Sequence, residues 1–313
     1  SLDLKSSTSC PIEIPTYEVK IGSIFETADL LLAAYQKRLE RADLDKMLAS
    51  WTTAIALAGL VPVFKGSVIS RALTVFTNHL TYGRCFELPL SPEIISIERL
   101  FTIGQSGNAS SLGVLDTALL CAASHHEALF MLVLEGLDRA PSQYFLDTLL
   151  DWYGQGLMGT LGNNFLSKHL KELWKNYGLA DGITNWPSNL LLVATVNGLT
   201  DGFPVSSTAI GKIVEVDTEF QGEHLDIHPA VLDQNARKPV GEVAASQWDE
   251  WQKKAQDQDV SQMAQQIKNI PRNKQPDNEK KEIALRLFAA LLILEKSEND
   301  AISLIQHHLL KLP

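Results

Sequence analysis

Phe130-Met131-Leu132-Val133-Leu134-Glu135-Gly136-Leu137-Asp138-Arg139-Ala140 is the stretch that decides the fold. Its first five residues continue an apolar run that begins at Ala128. An apolar run without polar alternation suits a strand whose sheet is covered on both faces, as parallel sheets are. The run ends at an acidic residue and a glycine. Beyond Ala140, residues 142–153 carry the spacing of an amphipathic helix. Strand, tight turn and helix in this order form the repeating unit of an α/β protein.

The same unit recurs on either side. Residues 190–196 make a second fully buried strand, and 213–216 a third with acidic side chains inserted. Toward the amino terminus, 60–64 and 85–88 are short strand candidates. Between about 24 and 58 the pattern is helical, with Leu30, Leu31, Ala34 and Tyr35 on one face and Arg38, Glu40 and Arg41 on another. A second helix within that stretch stops at Gly59, a C-terminal cap. Ser67 is placed to cap a helix over 68–80, and 116–125 reads as a further helix. This alternation predicts a mostly parallel sheet flanked by helices.

From about 242 the composition changes to Gln, Lys, Asp and Glu, broken by Pro271 and Pro276. Helices over 279–295 and 300–310 close the chain. Ile283, Leu285, Phe288 and Leu291 need a surface to cover, so a small all-α lid-like domain is expected rather than disorder. The resulting division is an extended arm (1–22), an α/β domain (23–225) and a helical domain (226–313).

With 313 residues, 45% apolar and 20% charged, the chain can bury a core without disulfides or structural metal. Its three cysteines, Cys10, Cys85 and Cys121, are far apart and form no CxxC pair, so neither a disulfide framework nor a metal site is expected. The net charge of −10 argues against a chain-wide nucleic-acid surface. No apolar run has the length of a membrane span and no signal peptide is visible. A cytoplasmic protein without membrane contact is therefore expected. Ser1 in place of Met suggests a piece of something longer.

A parallel-sheet NTPase needs a Gly-rich loop and Lys for phosphates, an acidic pair ending an apolar strand, and a polar residue on the neighbouring strand. The segment 130–140 resembles the Walker B region of AAA+ P-loop ATPases. It is most similar to the McrB-type restriction GTPases and the MoxR–dynein-like group, where the strand runs into Asp-Glu-Ile-Asn/Asp-Arg-Ala. Leu137, Asp138, Arg139 and Ala140 fit that pattern. The resemblance puts Glu135 at the Mg²⁺-binding Asp and Gly136 at the water-orienting Glu. Glycine carries no group that can direct a proton, so hydrolysis by the family mechanism is expected to fail.

A second match follows about fifty residues later. Asn185-Trp186-Pro187-Ser188-Asn189-Leu190-Leu191-Leu192-Val193-Ala194-Thr195-Val196-Asn197 resembles the sensor 1 strand of the same group, with Asn197 at the sensor position and Asp201 beyond it. In the stretch 207–216, Gly211 and Lys212 stand where the resemblance expects arginines that reach a neighbouring subunit. Lys lacks the bidentate fork of Arg. The phosphate loop fits worst. Gly59-Leu60-Val61-Pro62-Val63-Phe64-Lys65-Gly66-Ser67 holds the residue types of a Walker A motif in the order Lys-Gly-Ser. Bulky Val63 and Phe64, and Pro62 without an amide donor, would keep it from wrapping a triphosphate.

The resemblance spans about 44–216, with the helical tail where the AAA+ lid lies. It implies a catalytically inactive pseudo-ATPase with no catalytic residue, no metal and no required cofactor. Such a module would bind a protein partner or other domains of its own chain and meet nucleic acid only indirectly. Remnant nucleotide contacts would be Lys65, Gly66, Ser67, Glu135, Asp138 and Asn197, and remnant inter-subunit contacts Arg139 and Lys212. Two alternatives stay open. One is a domain that binds ATP or GTP with Mg²⁺ without efficient hydrolysis, in a nucleic-acid-directed or remodelling machine. The other is an enzyme of a different class with its site at the strand ends.

Other groupings favour plain structural roles. Gly104-Gln105-Ser106-Gly107 falls short of a G-x-S-x-G elbow. The adjacent pairs His125-His126 and His307-His308 lack the i, i+4 spacing of helical metal ligands. Trp248 and Trp251 sit at i, i+3 and read as a packing seam rather than a base-stacking platform.

Overall fold

The structure, a computed structural model, describes residues 22–101, 103, 112–155, 185–198, 202–205, 209, 211–218, 241–271, 274–295 and 297–310. The arm before Gly22, Gly104–Gly107, Asp201 and Ser207-Thr208 lie outside the described residues.

The expected α/β architecture is present. Five strands, β1 (Val61–Lys65), β2 (Cys85–Pro89), β3 (Phe130–Glu135), β4 (Leu190–Thr195) and β5 (Ile213–Asp217), form one sheet in the order β2-β3-β4-β1-β5. Every pairing is parallel. All five carboxyl ends therefore share one edge, where ligands of open α/β sheets gather. The crossovers carry α3 (Ile69–Leu80) between β1 and β2 and α5 (Val114–Ser124) between β2 and β3, after a short α4 (Ile97–Leu100). α6 (Leu146–Gln155) follows β3.

The apolar runs are explained by burial on both faces. Met131, Val133, Leu191 and Val193 face one core, shared with α1 (Ala28–Arg41), α2 (Met47–Leu57) and α3. Leu132, Leu134, Leu190 and Leu192 face the other, shared with α5 and α6. Alternate side chains serve opposite cores, the period of two that a strand imposes.

The tail contains α7 (Ala245–Gln256), α8 (Ser261–Asn269), α9 (Asn278–Leu294) and α10 (Glu298–Ile305). Their apolar faces join the first core: Phe288, Leu287 and Trp248 are buried in the same cluster as Trp51 and Leu31. Trp248 and Trp251 form the packing seam expected of them. No described helix is long and apolar enough to cross a membrane.

Two local expectations meet different outcomes. Gly59 does end α2: its φ is +66°, its N–H donates to the Ala56 carbonyl (3.0 Å) and the Leu60 N–H to the Ile55 carbonyl (3.0 Å). That pair of bonds is a Schellman cap. Ser67 does not cap α3. The helix starts one residue later, so Val68 takes the N-cap position and no side chain caps it.

His79 ties α3 to α1. It is buried, its Nε2 lies 2.9 Å from the Leu31 carbonyl, and Tyr35 stacks on it at 4.6 Å. Nε2 therefore carries the proton that is donated. Burial lowers its pKa from 6.5 to about 4, with Arg38 adding a smaller push in the same direction. The unfolded chain takes up this proton near 6.5 and the folded chain only near 4. Stability from the neutral ring is thus complete above pH 6.5 and is lost as pH falls toward 4. The expected loss is about 3 kcal/mol. Urea unfolding at pH 7 and pH 4 should show it, with a clearly smaller difference in His79→Gln, which keeps a donor without titrating.

Candidate functional site

The carboxyl edge of β1 presents Lys65, Gly66 and Ser67. Only Gly66, Ser67 and Val68 join β1 to α3, and Gly66 has φ +115°. The rest of the supposed phosphate loop is something else. Gly59 caps α2 at the opposite edge, and Pro62, Val63 and Phe64 are buried inside β1. A three-residue connection has too few amides to encircle phosphates as a Gly-rich loop does.

Lys65 is also engaged. Its Nζ lies 2.6 Å from Glu215 Oε2 on β5, and its carbonyl accepts from the Thr218 N–H (2.8 Å) and hydroxyl (2.7 Å). β5 lies on the far side of β1 from β4 and β3. The lysine thus leans away from Glu135, whose strand is two places over, roughly 10 Å at ordinary strand spacing. The structure does not bring Lys65 and Glu135 together.

What it does bring together is the turn after β3 and the end of β4. The Gly136 N–H donates to Thr195 Oγ1 (2.9 Å), and the Asn197 N–H donates to both carboxylate oxygens of Asp138 (3.0 and 3.1 Å). The Phe203 N–H donates to the Asp138 carbonyl (2.8 Å). Asp138, buried at 5% exposure, is therefore a clasp between two loops rather than a ligand waiting at an open site. Asp138→Ala should cost about 2 kcal/mol, because it strips a charged acceptor from the part-buried Asn197 amide. A urea midpoint unchanged at pH 7 would contradict this role.

Gly136 is the decisive position. Its φ is +80°, a left-handed conformation that favours glycine. A Cβ there would stand 2.8 Å from Arg139 Cδ and 2.9 Å from Asn197 Nδ2. The space a catalytic carboxylate would need is occupied by Arg139 and Asn197. Thus Gly136, Asp138, Arg139 and Asn197 form one packed group. Arg139 takes part from within the chain's own turn, exposed on its outer side.

Lys212 stands elsewhere. It precedes β5, and its carbonyl accepts from the Val61 N–H at the start of β1 (2.9 Å), which puts it at the amino edge of the sheet. Its ammonium pairs with Asp151 on α6. It cannot serve the same end of the sheet as Lys65.

Sequence reasoning assigned no role to Thr195, Glu215 or Thr218. Thr195 and Glu215 were visible as polar residues within apolar strands, which is the signal that marks them. Cys85 and Cys121 carry thiols that burial pushes up to about 12 and about 11, so neither is a reactive thiolate.

No family model and no curated protein matches the chain. Among solved structures it is similar to a candidate ATPase of Cytophaga hutchinsonii, with a TM-score of 0.55 and 9% identity over 90% of this chain and 88% of that one. The SCCmec type IV Cch active helicase aligns with a TM-score of 0.37 and 12% identity, over 97% of this chain and 53% of its own length. At 9% identity the first likeness speaks to architecture alone, and it agrees with the strand order. The chain has a P-loop NTPase-type fold: a five-stranded parallel sheet flanked by helices.

Proposed function

We propose that this chain is a pseudo-ATPase module: an AAA+-like domain that does not turn over nucleotide and acts as a structural or partner-binding part of a larger protein or complex. The observation that carries the reading is Gly136. Where the McrB-like resemblance expects a water-orienting carboxylate, there is a left-handed glycine whose vacant side is filled by Arg139 and Asn197. Without a carboxylate the attacking water has no group to orient it or accept its proton.

Two further features support it. The short connection after β1 offers few amides, and Lys65 is paired with Glu215. A partner-binding role draws support from large apolar side chains left exposed on loops leaving adjacent strands at this edge. Ile95 follows β2, Tyr144 follows β3 and Phe203 follows β4, at 60%, 59% and 39% exposure. The similar Cytophaga protein is a candidate ATPase, which makes nucleotide turnover the activity to test.

The test is steady-state release of phosphate from ATP and GTP with Mg²⁺, beside isothermal titration of both nucleotides. The expected result is a rate indistinguishable from blank. Turnover approaching even about 1 s⁻¹, the low end for ordinary enzymes, would overturn the proposal. Binding heat without turnover would favour the second reading, a nucleotide-holding domain that uses Lys65, Ser67, Glu135 and Asn197. The left-handed Gly66 beside a partly exposed Lys65 is the observation that keeps this second reading in play.

A further inference from the structure

Asn197 is the only asparagine in the chain that is followed by glycine. Both residues are exposed at the carboxyl edge of the sheet, just beyond Thr195, where β4 ends. In an Asn-Gly pair the backbone nitrogen of the second residue can attack the side-chain amide of the first. Glycine favours this attack because it has no Cβ to shield its nitrogen and its backbone adapts to the ring that forms.

The local geometry leaves the reacting groups uncommitted. Among the described residues, neither the Gly198 N–H nor the Asn197 side-chain amide makes a hydrogen bond. Gly198 has φ +70°, and a Cβ there would meet nothing within 4 Å, so the space beside its nitrogen is open. Other asparagines lack this combination. Asn189 is buried, and its Nδ2 donates to the Ala122, His125 and Ala128 carbonyls (3.0, 2.9 and 2.9 Å). Asn78 lies within α3, where the following N–H is spent on the helix.

We propose that Asn197 is a modification site, converted without an enzyme to aspartate and isoaspartate, and that the conversion loosens the clasp around Asp138. The Gly198 nitrogen loses its proton to hydroxide and attacks Cγ of Asn197. The new N–Cγ bond closes a five-membered succinimide as the Cγ–Nδ2 bond breaks, and Nδ2 leaves as ammonia with a proton returned from water. Water then opens the ring. Opening at Cγ gives aspartate. Opening at the backbone carbonyl carbon gives isoaspartate, whose main chain runs through the former side chain. One water is consumed, one ammonia is released, and nothing is oxidised or reduced.

Asp138 ties down both ends of the connection that is altered. Its carboxylate accepts the Asn197 N–H and its carbonyl accepts the Phe203 N–H. Isoaspartate inserts one methylene into the main chain between those two bonds. Either product also places a new carboxylate on the residue whose N–H the Asp138 carboxylate already holds, and like charges so close repel. Both changes oppose the clasp. The chemistry needs no nucleotide and proceeds whether or not the chain turns one over.

The test is to age the full chain at pH 6 and at pH 9, beside a sample kept unfolded in urea. Conversion is read by peptide mapping with mass spectrometry and by labelling with isoaspartyl methyltransferase. The peptide carrying Asn197 is expected to gain one mass unit and a methyl-accepting isoaspartate, faster at pH 9 than at pH 6. The folded rate should stay within about tenfold of the rate in urea, as an exposed segment that opens at little cost allows. The urea midpoint of the aged chain should fall in step with the converted fraction. Asn197→Gln, whose ring would need a sixth atom, should keep its midpoint through the same ageing. If that variant does not fold, Gly198→Ala replaces it, since its Cβ has open space and shields the nitrogen. Conversion in the folded chain more than about tenfold slower than in urea overturns the site, because the fold then protects it. Conversion that leaves the midpoint unchanged, or an equal fall in the control variant, overturns the loosening of the clasp.

Discussion

Gly136→Glu is expected to lower the stability of the chain by about 2–5 kcal/mol and to leave NTP turnover at blank. The variant introduces the carboxylate that the proposed pseudo-ATPase reading holds to be missing, so the naive expectation is a gain of activity. The geometry argues otherwise on two counts. A side chain at φ +80° costs about 1–2 kcal/mol relative to glycine. Its Cβ would then displace the Arg139 stem and the Asn197 amide, now 2.8 and 2.9 Å from that point, at a further 1–3 kcal/mol or so. Asn197 is held at its backbone N–H by Asp138, so relief must come from its side-chain amide and from the Arg139 stem.

Because the cost resides in the Cβ, Gly136→Ala should destabilise nearly as much as Gly136→Glu. Urea unfolding of the two variants beside the parent, with phosphate release from ATP and GTP, separates the possibilities. A stable Gly136→Glu protein that hydrolyses nucleotide, beside a parent that does not, would show that the turn accepts a carboxylate and would contradict this expectation.

The sheet was legible because its central strands, β3 and β4, are buried on both faces. A run such as Phe130 to Leu134 has few other homes, and all five strands lie where the runs do. Gly59 was legible as a cap for a similarly local reason. The site was much less so. That Glu215 engages Lys65 depends on β5 lying beside β1, and alternation of strands and helices does not fix strand order. Pro62, Val63 and Phe64 look like a spoiled loop when aligned to a motif, yet they are ordinary strand residues. Ser67 has the chemistry of a helix cap, but the turn at Gly66 starts the helix one residue too late to use it. Asp138 could be read as a remnant ligand because sequence shows its type. Its actual partner, the Asn197 N–H, belongs to the backbone and leaves no mark in the sequence.

The tail is tied to the body by a charge that sequence analysis passed over, and its removal should be as costly as any change in the chain. Glu242→Ala is expected to destabilise by about 3–5 kcal/mol, the usual penalty for leaving one member of a buried ion pair behind. Glu242, with a side chain 3% exposed, pairs through Oε2 with the guanidinium of Arg84, itself 11% exposed. Through Oε1 it accepts from the Gly22 N–H. Arg84 also donates from Nε to the Leu129 carbonyl (2.9 Å) and lies over the Phe130 ring at 5.7 Å. One carboxylate thus joins the segment leading to α7, the start of the described chain, and the strand ends of β2 and β3. Backbone bonds reinforce the junction: the Phe25 N–H donates to the Glu242 carbonyl (2.9 Å), and the Glu242 N–H donates to the Ser23 carbonyl (3.0 Å). Since those persist in the variant, the loss measures the charge and not the strand-like contact. Glu242→Gln, which keeps the acceptor and the shape, should lose distinctly less, and the double variant Glu242→Ala/Arg84→Met should recover part of the deficit by removing the orphaned cation. Urea midpoints at pH 7 for the parent, Glu242→Ala, Arg84→Met and the double variant provide the cycle, with Glu242→Gln measured beside them. Additive single-variant losses would mean that Arg84 and Glu242 are not coupled, and that apolar packing and the backbone bonds hold the tail to the sheet without them.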